Sequence, residues 1–375
     1  MAQTPDSNQW LCGGEKYFPA MLAAITAART SIDLEIYIFA NDAIGREFLQ
    51  ALVRSAQGGV RVRVLADSYG SLTLPGKFFQ PLTTAGGEVR FFNPLRFNRF
   101  GVRDHRKLLI CDDLTTFIGG ANISNDYGGN GITHGWLDLM MKIQSPSLAA
   151  VLTKEFEHIF SSADFKEGLL RRLRVFRQLR RHTKAAMVLP IRPGRGASSY
   201  QRALYADLKH ATSADLITPY FLPSRKLRKQ LRQIVKRGGR VRLILPRLSD
   251  VPVSRAAGLV YYPRLLRAGI EIYEYQPQIL HAKLYRVDEK VFAGSSNFDY
   301  RSFNLNYELM LRFTDPATVE GAKEIFATVL KNSLQIERKE FMRSQNFWAR
   351  WKNRWAHFLV ARIDPFFALR HIGRR

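Results

Sequence analysis

The chain repeats itself once. Ala27-Ala28-Arg29-Thr30-Ser31-Ile32-Asp33-Leu34 is answered by Ala211-Thr212-Ser213-Ala214-Asp215-Leu216, and Gly58-Gly59-Val60-Arg61-Val62 by Gly238-Gly239-Arg240-Val241-Arg242. Further on, Ala85-Gly86-Gly87-Glu88-Val89 returns as Ala268-Gly269-Ile270-Glu271-Ile272. His105-Arg106-Lys107 with Gly119-Gly120-Ala121-Asn122 returns as His281-Ala282-Lys283 with Gly294-Ser295-Ser296-Asn297. The histidines are 176 positions apart and the asparagines 175. That period is too long for a solenoid and marks a duplicated domain. Any fold for this chain must therefore be built twice.

Each half alternates strand-like with helix-like segments. Residues 31–39 and 60–66 are β-branched runs separated by a helical stretch, Ile44 to Ala56, that stops before Gly58-Gly59; the second half repeats this at 215–218, 224–237 and 240–245. Helices between buried strands predict an α/β fold of two similar layered domains. The expected boundaries are residues 1–160 and 194–340 for the two domains. A basic linker spans 161–193, and a basic aromatic tail, 341–375, stands outside the repeat.

The repeated part also carries the chemistry. His105-x-Lys107 is followed by Asp112, and His281-x-Lys283 by Asp288, at one spacing in both halves. Both segments are apolar enough to be expected as strands, where residues two apart share a face. A histidine that titrates near neutrality then projects beside a cation. The aspartate, seven positions on, has the wrong parity and is expected to orient or brace the strand end, although as part of the motif Asp112 and Asp288 are counted with the catalytic set. Asn122 and Asn297 follow glycine-rich turns, where backbone and amide donors can approach an anion. A lone His-x-Lys is usually surface decoration; the same four residues at the same spacing twice are not.

The doubled H-x-K-x4-D with G-[GS]-x-N after each resembles the phospholipase D superfamily, over nearly the whole chain to about residue 315. Within it the finer match is to bacterial cardiolipin synthase of the short type without N-terminal membrane spans. That match is carried by LEIYIF (34–39), ADSYGS (66–71), IGGANIS (118–124), WLDLMMKI (136–143), SDVPVSRAAGLVYYPRLLRAGIEIYEY (249–275) and AGSSNFDYRSFNLNYE (293–308). The resemblance implies two α/β/α sandwich domains facing each other across one active-site cleft, so that His105 and His281 meet. One imidazole attacks the phosphodiester phosphorus; the other protonates the leaving alkoxide and then deprotonates the acceptor. By the same resemblance His105 is favoured as nucleophile. Lys107, Lys283, Asn122 and Asn297 stabilise phosphoryl charge, Glu308 holds His281, and Asp138 holds His105. Asp138 departs from the second half's pattern, lying 33 positions after its histidine where Glu308 lies 27 after. Neither a cofactor nor a metal is expected.

Charge limits the partners. With 57 Lys plus Arg against 32 Asp plus Glu, the net charge is +25, which favours a polyanion or an anionic membrane surface. The two cysteines, Cys12 and Cys111, make no disulfide framework and fit a reducing compartment. No leader peptide and no window of roughly 18 apolar residues stands out. The excess charge gathers in 166–184, in 225–242 and in the tail, where eight Lys or Arg face Asp364 among Phe341, Phe347, Trp348, Trp351, Trp355, Phe358, Phe366 and Phe367. Aromatics and cations interleaved on a helix suit the headgroup zone of an anionic bilayer. By the resemblance the expected substrate is phosphatidylglycerol at the cytoplasmic face of a bacterial inner membrane; the charge adds the membrane surface as a partner, with nucleic acid disfavoured and the oligomeric state open. The leading expectation is a phosphatidyltransferase that joins two phosphatidylglycerols into cardiolipin. Its rivals are a phospholipase D, a nuclease or other phosphodiesterase of the same superfamily, and a catalytically silent membrane module.

Overall fold

In a computed structural model, residues 6–94, 101–163, 181–194 and 196–360 are described; the stretch 164–180 of the expected linker and the last fifteen residues of the tail lie outside them. The first sheet contains β1 (Ser7–Cys12), β2 (Ser31–Ile36), β3 (Arg61–Asp67), β4 (Glu88–Phe92), β5 (Leu108–Cys111), β6 (Thr115–Gly119) and β7 (Leu139–Gln144). The second contains β8 (Arg181–His182), β9 (Met187–Ile191), β10 (Ser213–Ile217), β11 (Arg240–Pro246), β12 (Glu271–Tyr275), β13 (Leu284–Val287), β14 (Lys290–Gly294), β15 (Glu308–Phe313) and β16 (Ser333–Gln335). Their orders are β1-β7-β6-β5-β2-β3-β4 and β8-β9-β15-β14-β13-β10-β11-β12-β16. Seven strands thus repeat in one topology, and the second sheet adds β8 and β16 at its edges. The α/β duplication expected from the repeat is the fold observed.

Local chemistry explains the repeated elements. The helix Ala43–Gln57 starts where Asp42 accepts the Gly45 N–H (2.9 Å), and the helix Arg225–Lys236 where Ser224 accepts that of Leu227 (3.1 Å). Both end at glycines in the left-handed region, Gly59 (φ 85°) and Gly238 (φ 83°). Every residue of β2 is buried, as suits a central strand covered on both faces. Its one acid with an arginine partner in the strand ladder, Asp33, accepts from Arg63 (2.7 Å), and Asp215 of β10 accepts from Arg242 (2.6 Å).

The halves share one apolar core. Leu108, Leu139 and Met141 of the first belong to the same buried cluster as Leu284, Leu309 and Leu311 of the second. Trp10 of β1 reaches across, donating Nε1–H to the Thr318 carbonyl (2.9 Å).

Three expectations need correction. The His-x-Lys segments are not within strands: β5 starts at Leu108 and β13 at Leu284, so each histidine and lysine lies in the extended chain just before its strand. The linker does not run to residue 193, because β9 pairs with β15 inside the second sheet, as β1 pairs with β7 in the first. Asp112 and Asp288 do not belong with the catalytic groups. They sit at the opposite ends of the strands, about 20 Å along the extended chain from their histidines, and only their bracing role stands. Both take left-handed turns (φ 55° and 50°), a conformation aspartate tolerates. Asp112 accepts the N–H groups of Thr30 (2.8 Å) and Ser31 (3.1 Å), and Asp288 those of Thr212 (3.0 Å) and Ser213 (2.8 Å). Each thereby ties its turn to the start of the neighbouring central strand. Asp112→Ala is expected to lower the unfolding free energy in urea by about 2 kcal/mol. A loss below about 0.5 kcal/mol would show that these bonds do not hold the turn.

Candidate active site

Backbone pairing between the halves builds the site. The His105 N–H donates to the Tyr307 carbonyl (2.9 Å), and Tyr307 donates back to that of Arg103 (2.8 Å). At the related position, His281 donates to the Leu137 carbonyl (2.8 Å) and Leu137 to that of Ile279 (2.8 Å). Each histidine segment is laced to the residue preceding the other half's carboxylate. Consequently His105 Nδ1 meets Glu308 Oε2 at 3.0 Å, and His281 Nδ1 meets Asp138 Oδ2 at 2.7 Å. The assignment of each carboxylate to the histidine of its own half is wrong: the pairs are crossed, because the register of the inter-domain bridges, not chain proximity, sets them.

The two ends differ in detail. Ser295 Oγ also donates to Glu308 Oε2 (2.5 Å). At the matching position Gly120 packs so closely on the shorter Asp138 that a Cβ there would stand 2.3 Å from Oδ1. Lys107 Nζ donates to the His105 carbonyl (2.7 Å) and Lys283 Nζ to that of His281 (2.5 Å). Asn122 is partly committed, accepting from the Ile38 N–H (3.1 Å) and donating to the Tyr127 hydroxyl (2.8 Å), which lies 3.4 Å from His281 Nδ1. Asn297 lines the same cavity. That cavity, of about 980 Å³, holds both histidines and both asparagines in its walls.

Burial sets the electrostatics. It drives His105 well below its usual range, helped by Lys107 and Lys283. Burial also lowers His281, with Lys283 adding to the effect and the direct Asp138 contact opposing it. Lys107 falls to about 7, mainly through burial, with Glu308 opposing, while burial lifts Glu308 to about 7 against the pull of Lys107. At His105 the carboxylate at Nδ1 holds the ring proton there and leaves Nε2 with its lone pair, whereas His281 Nδ1 meets both Asp138 and the Lys283 ammonium, each at 2.7 Å. Two imidazoles in one cavity, flanked by two ammonium groups, can divide a phosphoryl transfer, one attacking phosphorus and the other carrying the proton.

Comparison with known proteins gives this arrangement a family. The model for "Cardiolipin synthase, PLD-like domain" matches residues 21–160 and 204–330. Cardiolipin synthase 1 of Bacillus anthracis is 31% identical over 90% of this chain and 69% of its own length. Cardiolipin synthase A of Pseudomonas putida strain W619 is 34% identical over 87% and 69%.

The chain belongs to the cardiolipin synthase family of the phospholipase D superfamily.

It is a cardiolipin synthase-like phosphatidyltransferase. Its fold is also that of the phosphatidylserine synthase of Haemophilus influenzae Rd KW20 (TM-score 0.73, 16% identity, 96% of this chain and 95% of that one). A polyphosphate kinase from Porphyromonas gingivalis shares it over 90% of this chain and 50% of its own (TM-score 0.61, 14% identity).

Several wall residues had no repeat signal to announce them. Tyr37 lies edge-on to His105 at 4.9 Å, while Tyr127 (5.3 Å), Trp136 (5.6 Å) and Tyr220 (6.4 Å) surround His281. They differ between the halves, so a search for matching residues passes over them. Ser295 and Gly120 were visible only as turn residues.

The opposed shifts of Glu308 and Lys107 predict a narrow pH optimum. Below about 7 the carboxyl protonates and stops holding the His105 ring proton; above about 7 the ammonium loses its charge. The profile of kcat/KM is expected to be a narrow bell centred near neutrality, its two limbs belonging to the coupled pair. Lys107→Arg keeps its charge at all these pH values and is expected to move the alkaline limb up by more than one pH unit. An unmoved limb would assign it to another group.

Proposed function

We propose that this chain joins two phosphatidylglycerols into cardiolipin and glycerol through a phosphatidyl-histidine, with His105 as nucleophile and His281 as proton carrier. The crossed His–carboxylate pairs in one cavity carry this reading. Burial lowers both imidazoles, and at His281 the direct Asp138 contact opposes that lowering. Nε2 of His105 attacks phosphorus and the glycerol oxygen departs with the proton from His281. His281 then takes the proton from a headgroup hydroxyl of the second lipid, whose oxygen displaces His105. Lys107, Lys283, Asn122 and Asn297 offset the charge that gathers on the phosphoryl oxygens.

The same proposal seats the protein on the cytoplasmic face of the inner membrane. Among the described residues no helix is long and apolar enough to cross a bilayer. The helix Phe347–Phe358 instead packs through Asn353 and Ala356, and Tyr261 lies 2.7 Å from His357 Nε2. Its opposite side is an exposed ridge of Phe347, Trp348, Trp351, Trp355 and Phe358, each at least 49% exposed. Arg350, Lys352 and Arg354 flank that ridge, also exposed. Leu359 and Val360, directly after it, line the rim of the cavity. A ridge of this composition beside the cavity suits an anionic bilayer from which lipid passes straight to the histidines.

Product analysis, covalent labelling and vesicle binding test this reading. With labelled phosphatidylglycerol in vesicles, wild type is expected to release cardiolipin and glycerol in equal amounts. His105→Ala and His281→Ala are each expected to lose at least about a thousandfold in rate, since both act on one phosphorus. After acid quench the lipid phosphate should be found on His105; label on His281 reverses the roles, and phosphatidic acid as the sole product rejects the transferase. Tryptophan fluorescence is expected to shift to the blue on anionic vesicles and much less on zwitterionic ones. Replacing Trp348 and Trp351 by Ser should weaken vesicle binding about tenfold or more, with an unchanged melting temperature because both rings are exposed. Undiminished binding would remove the helix from the membrane contact.

A further inference from the structure

The cavity carries opposite charge on its two sides. Near His105 stand Arg103, 3.9 Å from Asp67 and over the ring of Tyr69, and Arg301, which donates to the Gly101 carbonyl (3.0 Å). Both guanidinium groups act on the hydroxyl of Tyr37, the ring that abuts His105, against the buried Asp67 behind it. The acids of the wall, Asp299 and Asp250, both act on Lys283 and on the Tyr220 hydroxyl near His281. Asp299 Oδ1 caps the turn that follows it by accepting the Ser302 N–H (2.8 Å). The field of Asp250 reaches both His281 and Lys283. The Tyr220 hydroxyl donates to Asp250 Oδ2, and the Tyr220 ring lies edge-on to His281. Asp250 Oδ1 is buried without a hydrogen-bond partner. The first half has no such pair: the bridges Phe39–Ile123 and Phe221–Phe298 correspond, which places Ile38 opposite Tyr220.

We propose that Asp250 and Tyr220 form the recognition site for the free, non-reacting hydroxyl of the acceptor lipid's polyol headgroup. A carboxylate only accepts hydrogen bonds, and it repels the phosphodiester under attack, which the Arg103 and Arg301 side accommodates. A headgroup with a second, free O–H supplies the donor that Oδ1 lacks, and a buried acceptor left unmatched disfavours a headgroup without one. The acceptor so held presents its reacting hydroxyl to His281. Tyr220 acts as a positioning residue, fixing the carboxylate through its hydroxyl. This assignment rests on the transferase reading above and names the chemistry of its second substrate.

Small alcohols separate the possibilities. Labelled phosphatidylglycerol in mixed micelles is offered 1,3-propanediol, ethanolamine or 1-propanol, and the phosphatidyl products are resolved by mass spectrometry. Wild type is expected to favour the diol, and ethanolamine as a second donor-bearing alcohol, over 1-propanol by about tenfold or more. Asp250→Ala is expected to reduce that preference to about twofold or less, and Tyr220→Phe to reduce it partly while keeping the ring packed against His281. If Asp250→Ala is unfolded by circular dichroism, Tyr220→Phe decides alone. Preference retained in the folded variants, or absent in wild type, overturns the subsite and leaves the transferase intact. Phosphatidic acid formed with all three alcohols, and transfer to none, overturns the transferase itself.

Discussion

Everything in this molecule depends on burying two histidines, two lysines and two carboxylates in one place. Each charge removed from water costs several kcal/mol unless it is paired with good geometry. Here the pairing is completed only across the domains: Glu308 faces His105, and Asp138 faces His281. Each histidine finds its carboxylate in the other half, so the site is complete only with the two sheets docked. The continuous apolar cluster and the Trp10 contact hold the halves in register, and the backbone bridges at Tyr307 and Leu137 set the carboxylates to about the accuracy of a hydrogen bond.

Duplication supplies symmetry, and the chemistry needs it broken. The second half uses a longer acid steadied by Ser295; the first uses a shorter one pressed against Gly120. His105 and His281 therefore feel different fields, although their motifs are alike. A second asymmetry lies behind the His105 segment. Arg106 is fully buried, 4.0 Å from Glu35 and 3.8 Å from Glu155, and Glu155 also pairs with Arg192 of the second half at 2.6 Å. Burial pushes Glu35 well above the ordinary carboxylate range, with Asp104 adding and Arg106 opposing. The corresponding residues around His281 include Leu280 and Ala282, both apolar and buried. The first histidine thus sits on a charged foundation and the second on an apolar one.

The site and the aromatic helix meet at the cavity rim. Leu359 and Val360 line the same cavity as Val251, Ser254 and both histidines, so the helix ends at the site. Under the proposed function, a lipid that keeps its acyl chains in a bilayer needs only its headgroup to enter. Where the helix docks, not its own sequence, brings it to the cavity.

Much of this was legible in the residues. The repeat, the glycine stops of the helices and the doubled H-x-K-x4-D established two α/β halves and named both histidines and lysines, because local spacing and composition carry that information. Asp112 and Asp288 brace strand ends as expected, but they were grouped with the catalytic set, from which the length of the strands separates them. What failed was everything that depends on contact between distant segments. The partner of each histidine was misassigned because a carboxylate 33 or 27 positions away seems near in the chain, while the inter-domain register puts the one from the other half at Nδ1. Strand β9 was taken for linker since its pairing with β15 has no local signature. Tyr37, Tyr220 and Asp250 were passed over, being unrepeated. The sequence determined which histidines and lysines recur and that they come in two copies. Only the tertiary structure decided which carboxylate serves which histidine, and how the two ends of one cavity come to differ, because both are set by packing across the interface between the halves.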